Sequence, residues 1–273
     1  MAVRDELGQR MKEYESRNQY YLQKRTPVIL RIDGKAFHTF TRGFQKPFDY
    51  TLMQAMQETA LKLCESIEGV VFSYQQSDEI TLVLQDYKNL NTAAWFDYRT
   101  DKLCSIAASM ATLYFNRIFE NLYLEELGYY DGGYTIPDFV LAHDLARKRG
   151  AMFDCRCFNI PKEEVANLIY WRQLDATRNS IQMVGQANFS HKTLQGKSCN
   201  DIQEMLFQEK NINWNDFSTA EKRGTCCIKV EDQDPRFDIK DGTYPKSKWI
   251  VDLDIPIFKG DGRKYIEERI NFE

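Results

Sequence analysis

"GVVFSYQQSDEITLVL", residues 69–84, decides the architecture. Two runs of β-branched, aromatic and aliphatic residues, 70–74 and 80–84, flank the polar segment QQSDE. Such a pattern reads as strand, turn, strand, so it predicts a β-hairpin with Asp78 at or next to its turn. Upstream, residues 27–32 read as another strand. Period-two alternation puts Val28, Leu30 and Ile32 on one face and Ile29, Arg31 and Asp33 on the other. Residues 51–66 place Leu52, Met56, Ala60 and Leu63 at spacings of three and four, which is an amphipathic helix. Downstream, residues 95–118 read as a long helix with the stripe Leu103, Ile106, Met110 and Leu113. Residues 129–134 form a loop by their glycines, 151–160 a strand, and Pro161 opens a helix to about Asp175. The first 25 residues read as a charged helix.

Strand, helix, hairpin, helix, strand is the order of an α+β fold, an antiparallel sheet with helices packed on one face. From about residue 176 the pattern is helical with polar punctuation. The tail from residue 232 is rich in Pro, Gly and Asp, with one strand-like run at 249–257. The expected division is therefore a sheet-bearing unit over 1–175 and a helical, irregular region over 176–273.

Of the 273 residues, 43% are hydrophobic and 28% charged, a composition that folds rather than stays disordered. The charged start MAVRDELGQRMKEYE lacks an apolar signal region, and no apolar run approaches the roughly 20 residues a bilayer span needs. The expectation is a cytoplasmic protein with no membrane partner. Seven cysteines form no C-x-x-C pair, and His38, His143 and His191 are scattered, so zinc-ligand spacing and a disulfide framework are both unsupported. Reduced core thiols are the expectation for Cys155 and Cys157. A net charge of −4 argues against indiscriminate nucleic-acid binding but leaves room for a local basic patch.

If the first strand neighbours the hairpin, Asp33 and Asp78 lie on one sheet edge. Two adjacent carboxylates repel unless a cation sits between them, and Mg²⁺ favours one or two carboxylates plus phosphate oxygens. Gly34 allows close backbone approach, while Lys35, His38, Arg42 and Lys46 supply donors for phosphates. Phe37 fits either the core or the border of a base. Asp-Gly after a strand and Ser-Asp-Glu between strands are also common turns, so the residues alone leave turn and metal site both open.

RIDGKAFHTF, FQKPFD and SYQQSDEITLVL resemble the tRNA(His) guanylyltransferase family, with its guanylyltransferase-like 3′–5′ polymerases. The resemblance continues through Trp95, Phe96, Arg99 and Lys102, then AMFDCRCF, YWRQLDA, LQGKS and the stretch NINWN…KRGTC, in consistent order over roughly residues 5–230. It implies a polymerase-palm-like catalytic domain using two Mg²⁺ ions, ATP or GTP as activating nucleotide, and nucleoside triphosphate substrates. A tRNA 5′-monophosphate end is activated, then attacked by the 3′-hydroxyl of the incoming nucleotide. By position Asp33, the Gly34 carbonyl and Asp78 correspond to metal ligands, with Asp33 and Asp78 catalytic. Asp33, Gly34, Lys35, Ala36, Phe37, His38, Ser77 and Asp78 correspond to nucleotide contacts, as do Lys46 and Lys102. Glu79 reads as a charged hairpin flank rather than a ligand. Arg147, Lys148, Arg149 and Asn179 are candidates for tRNA contact, and a homo-tetramer is implied.

One departure separates subgroups. Eukaryotic guanylyltransferases carry His-x-Asn-Asn-Leu-Tyr-Asn where this chain has Thr177, Arg178, Asn179, Ser180, Ile181, Gln182 and Met183. The expected activity is thus templated repair of 5′-truncated tRNA. The alternatives are a tRNA(His)-specific guanylyltransferase and a non-catalytic tRNA-binding protein. Trp171 and Trp214 read as core or interface aromatics ahead of base stacking, and His143 and His191 as structural.

Overall fold

A computed structural model describes residues 2–130, 135–231 and 247–270. Strand β1 (Val28–Gly34) lies between the hairpin β2 (Val70–Gln76)–β3 (Glu79–Leu84) and β4 (Phe153–Asn159). β5 (Thr225–Glu231) and β6 (Ser247–Asp252) extend the other edge, giving the antiparallel order β4-β1-β3-β2-β5-β6. The helices are α1 (Ala2–Ser16), α2 (Phe37–Phe40), α3 (Tyr50–Ser66), α4 (Thr100–Gly128) and α5 (Asp138–Arg149). They continue with α6 (Val165–Asn188), α7 (His191–Leu194), α8 (Cys199–Lys210), α9 (Thr219–Arg223) and α10 (Lys264–Ile270).

Alternation along the strands divides the core. Val28, Leu30, Ile32, Ile80, Leu82 and Leu84 bury against α3 and α4. Each such side chain contributes about 1.5–3 kcal/mol of transfer free energy. Ile29, Phe72, Tyr74 and Val83 face the opposite way and meet Val165, Ala166 and Ile169 of α6 with Ile266 and Ile270 of α10. The α+β sheet is as expected, and its second face is covered as well. A third cluster, from Phe48 through Ile181, Val184, Leu206 and Trp214, ties the far half of α6 to α8.

Several expectations are corrected. α6 runs through position 175, so the expected boundary falls inside one helix, and β5 and β6 from beyond it belong to the same sheet. α1 stops at Ser16, after which Tyr21 bridges to Arg99. The buried stripe of α4 is Leu103, Ala107, Ala111, Phe115, Phe119 and Tyr123, whereas Leu113 is exposed. Two alanines bring the helix close to the sheet, and the fourfold spacing then carries the aromatics inward. α5 has no counterpart in the expected elements because one of its three buried positions is His143, between Val140 and Ala146. The loop over 129–134 is a turn at Tyr129 and Tyr130, and 131–134 lie outside the described residues. The strand-like run of the tail is β6, which starts two residues before the expected stretch and ends at Asp252.

Candidate active site

The hairpin turn delivers Asp78 to the end of β1, where the Gly34 amide donates to the Asp78 carbonyl at 3.0 Å. Ser77 sits in the turn at φ 50°, and its hydroxyl donates to Asp78 Oδ1 at 3.2 Å. In register, Asp33 faces Glu79 across β3 and Asp154 across β4. Burial pushes the Asp78 carboxyl above the usual carboxylate range, and the negative charge of Asp33 adds to that shift. The two carboxylates therefore sense each other, and a cation would relieve both causes.

Among the described residues, no set of three or more His, Cys, Asp or Glu converges as a metal cluster. Two carboxylates open to substrate oxygens remain a donor set that fits Mg²⁺, which takes few protein ligands and keeps water or phosphate in the rest of its shell. Glu79 is engaged elsewhere. It is buried and accepts from Arg172 Nε at 2.7 Å and Arg172 Nη2 at 2.9 Å, with Arg31 Nη2 3.3 Å away. This ion pair anchors the hairpin to α6 one residue from Asp78, and the sequence offered no signal for it.

Beyond Gly34 the chain turns sharply. The Lys35 amide donates to the Met152 carbonyl at 2.8 Å, and Ala36 adopts φ 55° before α2. Lys35, Ala36 and His38 are exposed beside the carboxylates, as a nucleotide-facing turn requires. Phe37 is not. Its ring lies in the core, with centroids 5.1–5.6 Å from those of Phe40, Phe153 and Phe115. Gly34 is explained by the same ring, because a Cβ there would stand 2.3 Å from Phe37 Cδ2. The glycine is needed to seat an aromatic under the site, whatever approaches from above.

Lys46 is exposed on the loop ahead of α3. Asp49 fixes that loop, accepting from the Gln45 amide at 3.0 Å and the Leu52 amide at 2.9 Å as the cap of α3. His143 is buried with Nε2 2.8 Å from Asp49 and Nδ1 2.7 Å from Glu126. Burial pulls its pKa down, but the two carboxylates win and hold it above the ordinary value. A cavity of about 90 Å³ opens between this loop, the hairpin and α6, lined by Phe48, Gln75, Gln76, Ser77, Asn179 and Arg223 among others. Asn179 thus reaches the same neighbourhood as Ser77.

Other candidates lie elsewhere. Lys102 is in the first turn of α4, while Thr112, ten residues on, bonds the Phe153 amide opposite Gly34. That separates Lys102 from the Gly34 end by about 15 Å along the helix. Arg147 is paired with Asp144 and Glu120, and Lys148 with Asp144, so neither is a free cation. Arg149 donates to the Thr39 carbonyl at 2.8 Å and braces α2. Trp214 is buried as expected, its Nε1 donating to Ser180 at 3.0 Å, whereas Trp171 is 52% exposed. Cys155 and Cys157 are half-buried and share a cluster with Cys104, whose sulfur is 3.5 Å from that of Cys157.

The antiparallel sheet thus brings two aspartates beside a glycine turn at one end of its strands. The tRNAHis guanylyltransferase (Thg1) family matches residues 8–161. A bacterial tRNA(His) guanylyltransferase (Thg1)-like protein solved in complex with ATP is 39% identical, with a TM-score of 0.79 over 98% of this chain and 100% of that one. A bacterial Thg1-like protein solved in complex with GTP is 36% identical, TM-score 0.76, over the same shares. The tRNA(His) guanylyltransferase of Eremothecium gossypii is 27% identical over 229 residues, 79% of this chain and 86% of that protein. The chain belongs to the tRNA(His) guanylyltransferase family and is a nucleotidyltransferase. Among the described residues, no helix is long and apolar enough to cross a membrane.

Proposed function

We propose that this chain is a templated 3′–5′ nucleotidyltransferase that adds nucleotides to the 5′ end of truncated tRNA. The observation that carries the reading is the meeting of Asp33, Gly34 and Asp78 at one sheet end, with the exposed Lys35, Ala36 and His38 beside it. Asp33 and Asp78 would hold two Mg²⁺ ions, which supply charge stabilisation of phosphoryl oxygens and activation of the attacking hydroxyl. The chain itself provides no nucleophile. Its side chains position the reactants: Lys35, His38 and Lys46 donate to phosphates, and Ser77 orients Asp78. The RNA 5′-phosphate attacks the α-phosphorus of ATP or GTP and releases pyrophosphate, and the 3′-hydroxyl of the next nucleotide then attacks the activated 5′-phosphate and releases AMP or GMP.

Two facts favour repair over tRNA(His)-specific guanylylation. The run Thr177–Met183 keeps only Asn179 of the eukaryotic motif, and the bacterial Thg1-like proteins match over essentially the whole chain. A cytoplasmic homo-tetramer, whose C-terminal region contributes to the tRNA surface, completes the proposal. The test is incubation with Mg²⁺, nucleoside triphosphates and a tRNA lacking its first nucleotide. The expected product is one Watson–Crick-matched addition, reduced by a factor on the order of 100 or more in Asp78→Asn. No extension, or extension indifferent to Asp78→Asn, defeats the reading. Addition that requires the tRNA(His) anticodon assigns the guanylyltransferase activity instead.

A further inference from the structure

Trp171 stands out on the surface of α6. It is 52% exposed, whereas Trp95 and Trp214 are each only 8% exposed. The Arg172 guanidinium lies 4.6 Å from the ring centroid and that of Arg31 lies 5.7 Å away. Both guanidiniums converge on the Glu79 carboxylate, so they back the ring from the Glu79 side. These contacts restrict the ring and lower the ordering cost of using it as a stacking surface.

The ring is also well placed. Arg31 and Asp33 share one face of β1, two residues and about 7 Å apart. Arg172 reaches the residue next to Asp78. Arg156 sits opposite Arg31 in register and is exposed, 3.7 Å from Asp154. An exposed indole held against two guanidiniums, beside the Glu79 ion pair that adjoins Asp78, has the chemistry of a nucleobase platform.

We infer that Trp171 stacks on the unpaired base at the end of an RNA helix, and so presents the strand end to Asp33 and Asp78. The inference rests on the proposed RNA substrate and adds a specific contact to it. Stacking is blind to base identity, since every base has a π-face, which suits an enzyme that repairs ends of differing sequence. The platform selects for the presence of an unpaired base, and pairing selects the nucleotide added.

The test uses the full-length protein and an RNA hairpin lacking its 5′ nucleotide, so that one base is unpaired, beside the same hairpin made blunt. The gapped hairpin is expected to quench tryptophan fluorescence, and Trp171→Ala to raise its Kd by about 5- to 150-fold. The blunt hairpin is expected to change by much less. Trp171→Phe restores most of the gapped-hairpin affinity, as a second aromatic face should, while the selective loss on the gapped over the blunt hairpin separates stacking from a packing role. Equal weakening of both hairpins overturns the inference, as does failure of phenylalanine to rescue. A change in the molecular mass of Trp171→Ala by light scattering also overturns it, and makes the ring a contact between copies. If wild-type protein extends no RNA yet Trp171→Ala still weakens the gapped hairpin selectively, stacking stands and the repair reading falls.

Discussion

Replacing Arg172 with methionine isolates the ion pair that anchors the hairpin carrying Asp78. Arg172 and Glu79 are 6% and 4% exposed, and the guanidinium spans both carboxylate oxygens. Methionine keeps most of the side-chain volume but leaves Glu79 buried with one remaining cation, Arg31, at 3.3 Å. Removing one partner of a buried pair costs about 3–5 kcal/mol, and the surviving Arg31 contact places this case at about 3. For a domain of this size that corresponds to a fall in Tm of about 6–12 °C. The uncompensated charge is the cause, so Glu79→Gln in the Arg172→Met background recovers most of the loss. Thermal melts of wild type, the single variant and the double variant measure all three terms. The single variant also loses nucleotide addition, because Glu79 adjoins Asp78. A single variant within about 1 kcal/mol of wild type, or a double variant no more stable than the single, refutes this account of the hairpin.

Gly34→Ala destabilises by about 1–3 kcal/mol, since its Cβ meets Phe37 at 2.3 Å, and Phe37→Leu in the same chain relieves part of that cost in urea melts. His143 is held above its ordinary pKa of 6.5 by Asp49 and Glu126. A raised folded-state pKa contributes stability that is complete below the unfolded value and lost as pH rises through the folded one. The stability gap between wild type and His143→Gln therefore narrows as pH rises from the ordinary value of 6.5 through the raised folded value, as urea midpoints will report. Hydrogen bonds from Cys155 first, and then Cys157, outweigh burial and lower Cys104 to about 6. Alkylation of Cys104 by iodoacetamide should be half-maximal near that pH, and Cys155→Ala should move the midpoint upward, read by peptide mass spectrometry.

The pair Asp33 and Asp78 was legible because each sits at the end of an apolar alternating run, and period-two geometry states where a strand end points. The hairpin closes over two residues, so its register follows from local sequence. What surrounds the pair was hidden for a different reason. Arg172 meets Glu79 across 93 positions and His143 meets Asp49 across 94. Neither charge pattern repeats at a helical or strand period, so only the folded sheet brings them together. Phe37 shows the same limit within one motif: RIDGKAFHTF reads equally well as pocket wall or core until the left-handed turn at Ala36 sends the ring inward.

These hidden contacts share a direction. Arg172 ties the hairpin to α6, Arg149 ties α2 to α5, and His143 ties the Lys46 loop to α4 and α5. Each acts on a segment that carries a proposed contact to nucleotide or metal, and each is a buried or bracing charge rather than an apolar contact. Apolar packing tolerates small slides, whereas a bidentate or doubly bonded charge fixes position to a fraction of an ångström. Phosphoryl transfer, in which the chain contributes positioning and not a nucleophile, loses rate steeply with such slides. The cost of burying two polar anchors, Arg172 and His143, around two aspartates is therefore best understood as the cost of holding the aspartates still.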